Sequence, residues 1–143
     1  MKEIKFYGPD DEYGFFSNFS RHPIVLKGKT WLTSEHYYQA QKFSGTDAEE
    51  KIRKLPSPGK AFREARKYEL RGDWEKVKVD VMRDALLAKF TQHDDLRRIL
   101  LGTKDAILIE HTHRDSFWGD GGNGNGKNML GTLLMELREK LRD

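Results

Sequence analysis

The chain changes from strand-forming to helical sequence at one stretch, Trp31-Leu32-Thr33-Ser34-Glu35-His36-Tyr37-Tyr38-Gln39-Ala40-Gln41-Lys42-Phe43. Thr33 or Ser34 supplies the short hydroxyl side chain that caps a helix, and we expect the helix to cover roughly Glu35 to Phe43. Glu35 then lies in the first turn, where the helix dipole favours a negative charge. The stretch therefore predicts an ionised carboxylate at the start of a helix.

Upstream of this stretch the sequence predicts short strands. Ile4 to Tyr7 alternates apolar and polar residues, and Gly8 to Asp11 has the composition of a turn. Ile24 to Leu26 is a second short apolar run, and a turn is expected at Lys27 to Lys29. These runs predict the N-terminal part of a small sheet.

Downstream, three helices are predicted. Thr46 to Glu49 has the form of a capping box, with a hydroxyl and a carboxylate three residues apart. Ser57-Pro58 is typical of a helix start, and we expect that helix to end at Gly72. Asp73 is expected to cap the next helix. In that helix the apolar residues recur at helical spacing, at Val79, Met82, Leu86 and Phe90.

The last third predicts a short helix, a strand and a final helix. The short helix, marked by Leu96, Ile99 and Leu100, stops at Gly102, and Ala106 to Ile109 is typical of a buried strand. The final helix carries one leucine face: Leu130, Leu133, Leu134, Leu137 and Leu141. The whole pattern predicts one mainly helical α+β domain that covers residues 1–143. Its small sheet is expected to combine the N-terminal strands with the strand near Ile107.

Composition excludes several classes of protein and site. The 143 residues suit one domain, and no window approaches the ~20 apolar residues of a membrane-spanning helix. The sequence contains no cysteine, which excludes disulfides, zinc-thiolate sites and cysteine nucleophiles. The N-terminus has no apolar segment typical of a secretory signal, so we expect a cytoplasmic protein. The formal charge of +3 suits an anionic small substrate and is compatible with nucleic acid.

Two segments have unusual chemistry. Glu35 in the first helical turn can act as a base, as a nucleophile or as an electrostatic partner of a developing cation, or it can simply stabilise its helix. The second segment runs from His111 to Asn128, and five of the eight residues from Gly119 to Gly126 are glycine. Such a loop allows close approach of backbone to ligand, and it leads into a helix start that suits a phosphate.

The glycine-rich loop leaves several alternatives open. It is either a flexible surface loop or a ligand site, and its neighbours Asp115, Trp118 and Asp120 favour a sugar or base ligand. Its spacing nearly fits a nucleotide-triphosphate loop, but Asn128 replaces the expected hydroxyl residue. A metal site formed by alternating residues is another alternative: His111, His113 and Asp115. Asp115 and Glu35 can also form a carboxylate pair around a glycosidic bond.

Five motifs in order resemble one known family over nearly the whole chain. They are Ser34-Glu35-His36-Tyr37, Arg71-Gly72-Asp73-Trp74, Val81-Met82-Arg83-Asp84-Ala85-Leu86, Arg114-Asp115-Ser116-Phe117-Trp118-Gly119-Asp120-Gly121 and Asn128-Met129-Leu130-Gly131. The family is NADAR, also described as YbiA-like. The resemblance implies the fold of that family and an N-glycosidase that hydrolyses a ribosyl C–N bond. It also implies functional roles for Glu35, Asp115 and Trp118, whereas the region from Ser57 to Arg66, with Lys60 and Arg66 as candidate ligand contacts, matches more loosely.

The resemblance implies two substrate classes, phosphorylated ribosylamines of riboflavin synthesis and ADP-ribosyl compounds, including ADP-ribosylated guanine in nucleic acid. We expect Glu35 to stabilise charge or act as base, and Asp115 to orient the ribose or share the proton transfer, with the reverse assignment of these two residues still open. Trp118 is expected to stack on the base or to wall off the sugar. The expected substrate-binding residues are Asn18, Lys42, Gly119, Asp120, Lys127 and Asn128. Phosphate is expected at the glycine loop and the helix start at Asn128. We expect a monomer whose reaction requires neither a metal ion nor an organic cofactor.

Two rival functions remain open at this point. The first is an antitoxin that removes ADP-ribose from DNA or RNA, and the second is a module that binds ADP-ribose without turnover. A binding module tolerates the amide variant of Glu35, whereas an enzyme does not. An enzyme directed at nucleic acid should show strong salt dependence.

Overall fold

The computed structural model describes residues 2–142. Its elements in chain order are β1 (Glu3–Phe6), a 3-10 helix (Gly14–Phe16), β2 (Ile24–Leu26), β3 (Lys29–Trp31), α1 (Ser34–Gln41), α2 (Asp47–Arg53), α3 (Pro58–Ala65), α4 (Trp74–Gln92), α5 (Asp94–Gly102), β4 (Ile107–Glu110) and α6 (Met129–Leu141). They form two compact units. The first unit combines the described residues of Met1–Ser20 and His93–Asp143, and the second is Arg21–Gln92. The fold class is confirmed as α+β and mainly helical, whereas the single domain stays a prediction.

In the second unit a hairpin precedes four helices. β2 and β3 pair antiparallel, with Val25 opposite Thr30. Lys27 and Gly28 both have positive φ, as a two-residue hairpin turn requires. Helix α1 packs against α2, α3 and α4. The core of this unit is formed by buried residues from all of these elements: Ile24, Trp31, Tyr37, Ala40, Phe43, Ile52, Ala61, Ala65, Ala85 and Ala88.

In the first unit a parallel strand pair carries the C-terminal helix. β1 and β4 pair with Ile4 opposite Leu108, although about a hundred residues separate them in the chain. Helix α6 packs against β4 and against α5. The approach is close because Gly131 faces the Leu108 carbonyl, where a Cβ atom would lie 1.9 Å from that oxygen. The loop between β4 and α6 contains the glycine-rich segment.

Three local predictions are wrong. The strands do not form one sheet: β2 pairs with β3 and β1 pairs with β4, which gives two separate two-stranded sheets. Helix α3 ends at Ala65 and not at Gly72. Later in the same connection, the Arg71 N–H group donates to the Lys42 carbonyl, a tertiary contact that local sequence does not encode.

The third wrong prediction concerns the capping box. Thr46 makes no side-chain cap, because its hydroxyl donates to the Phe43 carbonyl, and the Glu49 carboxylate accepts from Gly45 N–H and from the Gln41 amide. Thr33, by contrast, is confirmed as the cap of α1. Between residues 2 and 142, no helix is both long and apolar enough to cross a bilayer.

Candidate active site

The start of α1 holds Glu35 in a fixed, buried position. The Thr33 hydroxyl caps the helix by accepting from His36 N–H at 3.1 Å. Glu35 is 7% exposed, and its Oε2 accepts a hydrogen bond from Gln39 Nε2 at 2.7 Å. The helix dipole favours the ionised carboxylate at this position. The protein therefore buries the Glu35 carboxylate and holds it with a hydrogen bond, rather than leaving it in water.

His36 completes the network at the start of α1. Its Nε2 lies 2.9 Å from the Leu55 carbonyl oxygen and its Nδ1 lies 2.8 Å from Thr33 Oγ1. A carbonyl oxygen only accepts, so Nε2 carries the proton, and Nδ1 accepts from the Thr33 hydroxyl. Burial lowers the pKa of His36, and the bond to Leu55 only partly opposes that shift. A neutral His36 therefore anchors the turn that presents Glu35.

Lys42 lies two turns after Glu35, with its ammonium group among aromatic rings. Its Nζ is 5.4 Å from the centre of the Tyr38 ring and 5.9 Å from that of Trp74. Burial lowers the pKa of Lys42, and the charge of Glu35 partly opposes that shift. The aromatic rings stabilise a partly desolvated cation here through their electron-rich faces.

Two further cations act electrostatically on Lys42, and we refer to Lys42, Arg66 and Lys78 as the cationic cluster. Both lower the pKa of Lys42 by repulsion. Lys78 Nζ binds Glu75 Oε1 at 2.8 Å, and the Arg66 guanidinium lies 5.7 Å from the Phe62 ring centre. An additional anion beside Lys42 would relieve the repulsion that Lys42 receives from Arg66 and Lys78.

Asp115 shapes the turn that carries Trp118. Its Oδ1 accepts from the N–H groups of Phe117 at 2.9 Å and Trp118 at 2.8 Å. The Phe117 and Trp118 rings meet edge to face at 4.9 Å, and both side chains are half-buried. One carboxylate oxygen of Asp115 is therefore engaged in the turn. Among residues 2–142, no hydrogen bond uses the other oxygen, Oδ2.

Asp120 connects the glycine-rich segment by hydrogen bonds to His111 and Thr112, the first residues of the same loop. It is 5% exposed, and its Oδ1 accepts from Thr112 N–H at 3.2 Å and Gly122 N–H at 2.9 Å. Its Oδ2 lies 2.8 Å from His111 Nδ1. Burial alone would raise the pKa of Asp120, but the bonds from His111, Gly122 and Thr112 lower it. Asp120 therefore acts as a structural carboxylate in this structure.

Asn128 has a structural role at the start of α6. It has a positive φ of 51°, its Oδ1 accepts from Glu110 N–H at 2.9 Å, and its Nδ2 donates to the Leu108 carbonyl at 2.9 Å. Its amide thus ties α6 to β4 with both polar atoms. Lys127 is exposed beside it, with Nζ 5.6 Å from the Phe117 ring centre.

Three backbone donors at the start of α6 bind carbonyl groups of the preceding loop. The N–H groups of residues 128, 129 and 130 donate to the carbonyls of Gly119, Phe117 and Trp118. Gly119 itself is buried, and a Cβ atom there would lie 2.6 Å from Thr112 Cγ2. A phosphate at this helix start would therefore compete with the loop's own bonds, and phosphate binding there stays a prediction.

The candidate residues fall into two sets. In the second unit, Glu35 lies in the first turn of α1 and Lys42 is the C-cap residue of the same helix. The first unit contains the loop residues and Asn18, which is buried in the turn after the 3-10 helix. Within residues 2–142, no group of three or more His, Asp or Glu side chains is arranged to hold a metal ion. The sequence analysis missed Gln39 and Lys78. Gln39 could have been found, because positions 35, 38, 39 and 42 have the spacing of one helix face.

The chain belongs to the NADAR family, because the NADAR domain model matches residues 5–142. The N-glycosidase YbiA of Shigella boydii is 58% identical over 140 residues, which cover 96% of this chain and 88% of that protein. A riboflavin biosynthesis protein of Vibrio vulnificus is 46% identical and matches over 98% of this chain and 39% of its own length. The NMR structure of Escherichia coli YbiA superposes with a TM-score of 0.91 at 56% identity, over 98% of this chain and 84% of that one.

These relatives confirm the family expected from the sequence and the class of enzyme. Proteins named N-glycosidases are hydrolases that act on N-glycosyl bonds, and this chain matches one of them over nearly its whole length. The particular substrate and the roles of individual residues are a separate question.

Proposed function

We propose that this enzyme hydrolyses the bond between C1 of a ribose and a nitrogen atom in phosphorylated, nucleotide-like substrates. The observation that carries the proposal is the buried Glu35 carboxylate in the first turn of α1, with Lys42, the centre of the cationic cluster, at the C-cap of that helix. Riboflavin-pathway ribosylamine phosphates are the first candidates, because a relative is named for riboflavin biosynthesis. ADP-ribosyl compounds, free or on nucleic acid, are the second.

Glu35 would supply the charge that this reaction needs. As the C–N bond breaks, its electron pair moves to the nitrogen and positive charge builds on the ring oxygen and C1. The ionised carboxylate stabilises that charge or takes a proton from the water that attacks C1. The leaving nitrogen gains a proton, and the hydroxyl of the water joins C1. The products are a free amine or base and a ribose phosphate, or ADP-ribose when the substrate is an ADP-ribosyl compound. No metal ion or organic cofactor is needed for this balance.

The cationic cluster would bind the phosphate. A phosphate beside Lys42 offsets the repulsion from Arg66 and Lys78 that lowers the pKa of Lys42. This placement differs from the glycine loop expected from the sequence, where three donors at the start of α6 already bind loop carbonyl groups. Lys127 remains a further candidate for a charged contact with the phosphate, because its side chain is exposed.

For Asp115 and Trp118 we propose the roles that the family resemblance implies. Asp115 Oδ2 would bind ribose hydroxyls or share the proton transfer, while Oδ1 keeps the turn in place. Trp118 would stack on the base. Asn18 is kept as a ligand contact, whereas Gly119, Asp120 and Asn128 are assigned to shaping the loop. A cytoplasmic, monomeric enzyme remains part of the proposal.

A product assay by mass spectrometry tests the function. The wild-type protein is incubated with ribosylamine phosphates of riboflavin synthesis, with ADP-ribosyl nucleotides and with DNA that carries ADP-ribosylated guanine. We expect a free amine together with ribose phosphate from the first class, or ADP-ribose together with the released base or the unmodified DNA from the others. Binding of these compounds without release of either product would reject the hydrolase and favour a binding module.

A further inference from the structure

The Gln39 side chain has one polar atom in use and one without a partner. Gln39 lies one helical turn after Glu35 and is 3% exposed. Its Nε2 donates to Glu35 Oε2 at 2.7 Å. Its Oε1 is buried, and no residue among 2–142 donates a hydrogen bond to it. Such orphaned acceptors are rare in folded proteins, because burying them without a donor costs free energy.

The neighbour Glu35 fixes the orientation of this amide. An ionised carboxylate offers only acceptors, so the NH₂ group of Gln39 must face it. Turning the amide over would place two oxygen acceptors against each other. The unpaired atom is therefore an oxygen, and it requires a donor from outside the protein's own side chains.

Gln41 on the same helix shows the ordinary alternative. It is also buried, but its Nε2 donates to Glu49 Oε2 at 2.8 Å and its Oε1 accepts from Lys27. The helix therefore has two buried amides, one fully paired and one half paired. The half-paired amide is the one that contacts Glu35.

The spacing along α1 indicates what the donor is. Glu35, Gln39 and Lys42 follow at i, i+4 and i+7, and at 1.5 Å per residue the outer two lie about 10.5 Å apart along the axis. Under the proposed function, a ribosyl phosphate bound along this face would have its reacting carbon at Glu35 and its phosphate at the cationic cluster. A phosphate offers acceptors, so the Gln39 oxygen suits a sugar hydroxyl instead. The hydroxyl next to the reacting carbon is that of C2.

We propose that Gln39 Oε1 accepts a hydrogen bond from the ribose 2-hydroxyl while Nε2 holds Glu35 in place. Gln39 is then a specificity-determining residue that selects ribosyl over 2-deoxyribosyl substrates. This inference rests on the proposed function, since it places the sugar at Glu35.

Binding calorimetry with ribose 5-phosphate and 2-deoxyribose 5-phosphate tests the inference on the intact protein. We expect the wild type to prefer the ribose form by about 10- to 100-fold. Gln39→Leu, or Gln39→Met if the leucine variant does not fold, should reduce that preference to less than about threefold. Gln41→Leu is the matched control and should keep the wild-type preference.

The two proposals fail in different ways in this experiment. A wild type that binds both sugars equally, or a Gln39 variant that keeps the full preference, overturns the role of Gln39 even if the enzyme cleaves its substrate. Discrimination that is lost only in the Gln39 variants supports the role of Gln39, because binding of these ligands needs no turnover. If the same protein then cleaves no N-ribosyl compound, only the proposed function fails.

Discussion

Lys42 combines a positive charge with an environment that disfavours it. Burial and the cations Arg66 and Lys78 lower the pKa of Lys42, and Glu35 opposes that shift in part. The ammonium group is charged below its pKa, so phosphate binding is strongest there and weakens as pH rises through it. Because the pKa of Lys42 is lowered, phosphate binding begins to weaken at a lower pH than it would with an ordinary lysine.

We therefore expect Lys42→Met to raise KM for a phosphorylated substrate by about 10- to 100-fold and to change KM little for its dephosphorylated form. Lys42→Arg should retain binding and shift the alkaline rise of KM to higher pH. Steady-state kinetics on both substrates, with Lys54→Met as a control at an exposed site, would measure this. Equal losses on both substrates would argue against a phosphate contact.

At the scale of the element, the start of α1 depends on the Thr33 and His36 network. Thr33 Oγ1 accepts from His36 N–H and lies 2.8 Å from His36 Nδ1. Thr33→Ala removes the cap and leaves a buried ring nitrogen unpaired, so it should lower the free energy of unfolding by about 1–3 kcal/mol. Thr33→Ser should recover most of that loss in urea unfolding. A Thr33→Ala variant as stable as the wild type would contradict the cap.

The same network predicts a pH dependence of stability. The folded-state pKa of His36 is lowered from 6.5, so the unfolded chain binds a proton first as pH falls. The free energy of unfolding should therefore be unaffected by His36 well above pH 6.5 and decrease as pH falls below it. The buried carboxylate Glu64 has a pKa lowered to about 2 and contributes only at more acidic pH. A His36→Gln variant that keeps the wild-type slope between pH 7 and 5 would exclude His36 as its source.

The contact of α6 with β4 gives a prediction for the other unit. A Cβ atom at Gly131 would lie 1.9 Å from the Leu108 carbonyl oxygen, whereas at Gly102 no atom lies within 4 Å. Gly131→Ala should therefore destabilise the protein by about 3 kcal/mol or more. Gly102→Ala, the matched control, should change stability by less than about 1 kcal/mol. Thermal unfolding of both variants would decide this, and equal effects would contradict the close approach.

For the whole molecule, net charge separates the two substrate classes. A charge of +3 is small for a nucleic-acid enzyme, and many exposed cations are paired with neighbouring acids, as Lys29 is with Glu50. We expect kcat/KM on a free nucleotide-like substrate to fall less than about tenfold between 50 and 200 mM salt. A much steeper loss, seen only with ADP-ribosylated DNA, would instead favour an enzyme directed at nucleic acid.

Local signals in the sequence predicted more of this molecule than long-range ones did. Thr33 and the run at Ile107 mark their own elements, because caps and apolar periods act over a few residues. The pairing of β1 with β4 depends on a contact about a hundred residues apart, which no local pattern encodes. The tie of Asn128 to β4 and the orphaned oxygen of Gln39 are likewise tertiary. The sequence shows that a helix contains a polar residue, but it does not show whether the folded protein supplies a hydrogen-bond partner for it.

The most direct measurement is the turnover rate of Glu35→Gln on the substrate that the wild type cleaves, followed by release of the free amine or base. We expect kcat to fall about 10³-fold with the fold intact, because the amide cannot stabilise the developing cation or accept a proton. Glu64→Gln, which replaces a carboxylate that is also buried at 8% exposure, is the matched control and should keep wild-type turnover. A Glu35→Gln variant within tenfold of the wild-type rate would contradict the central role of Glu35.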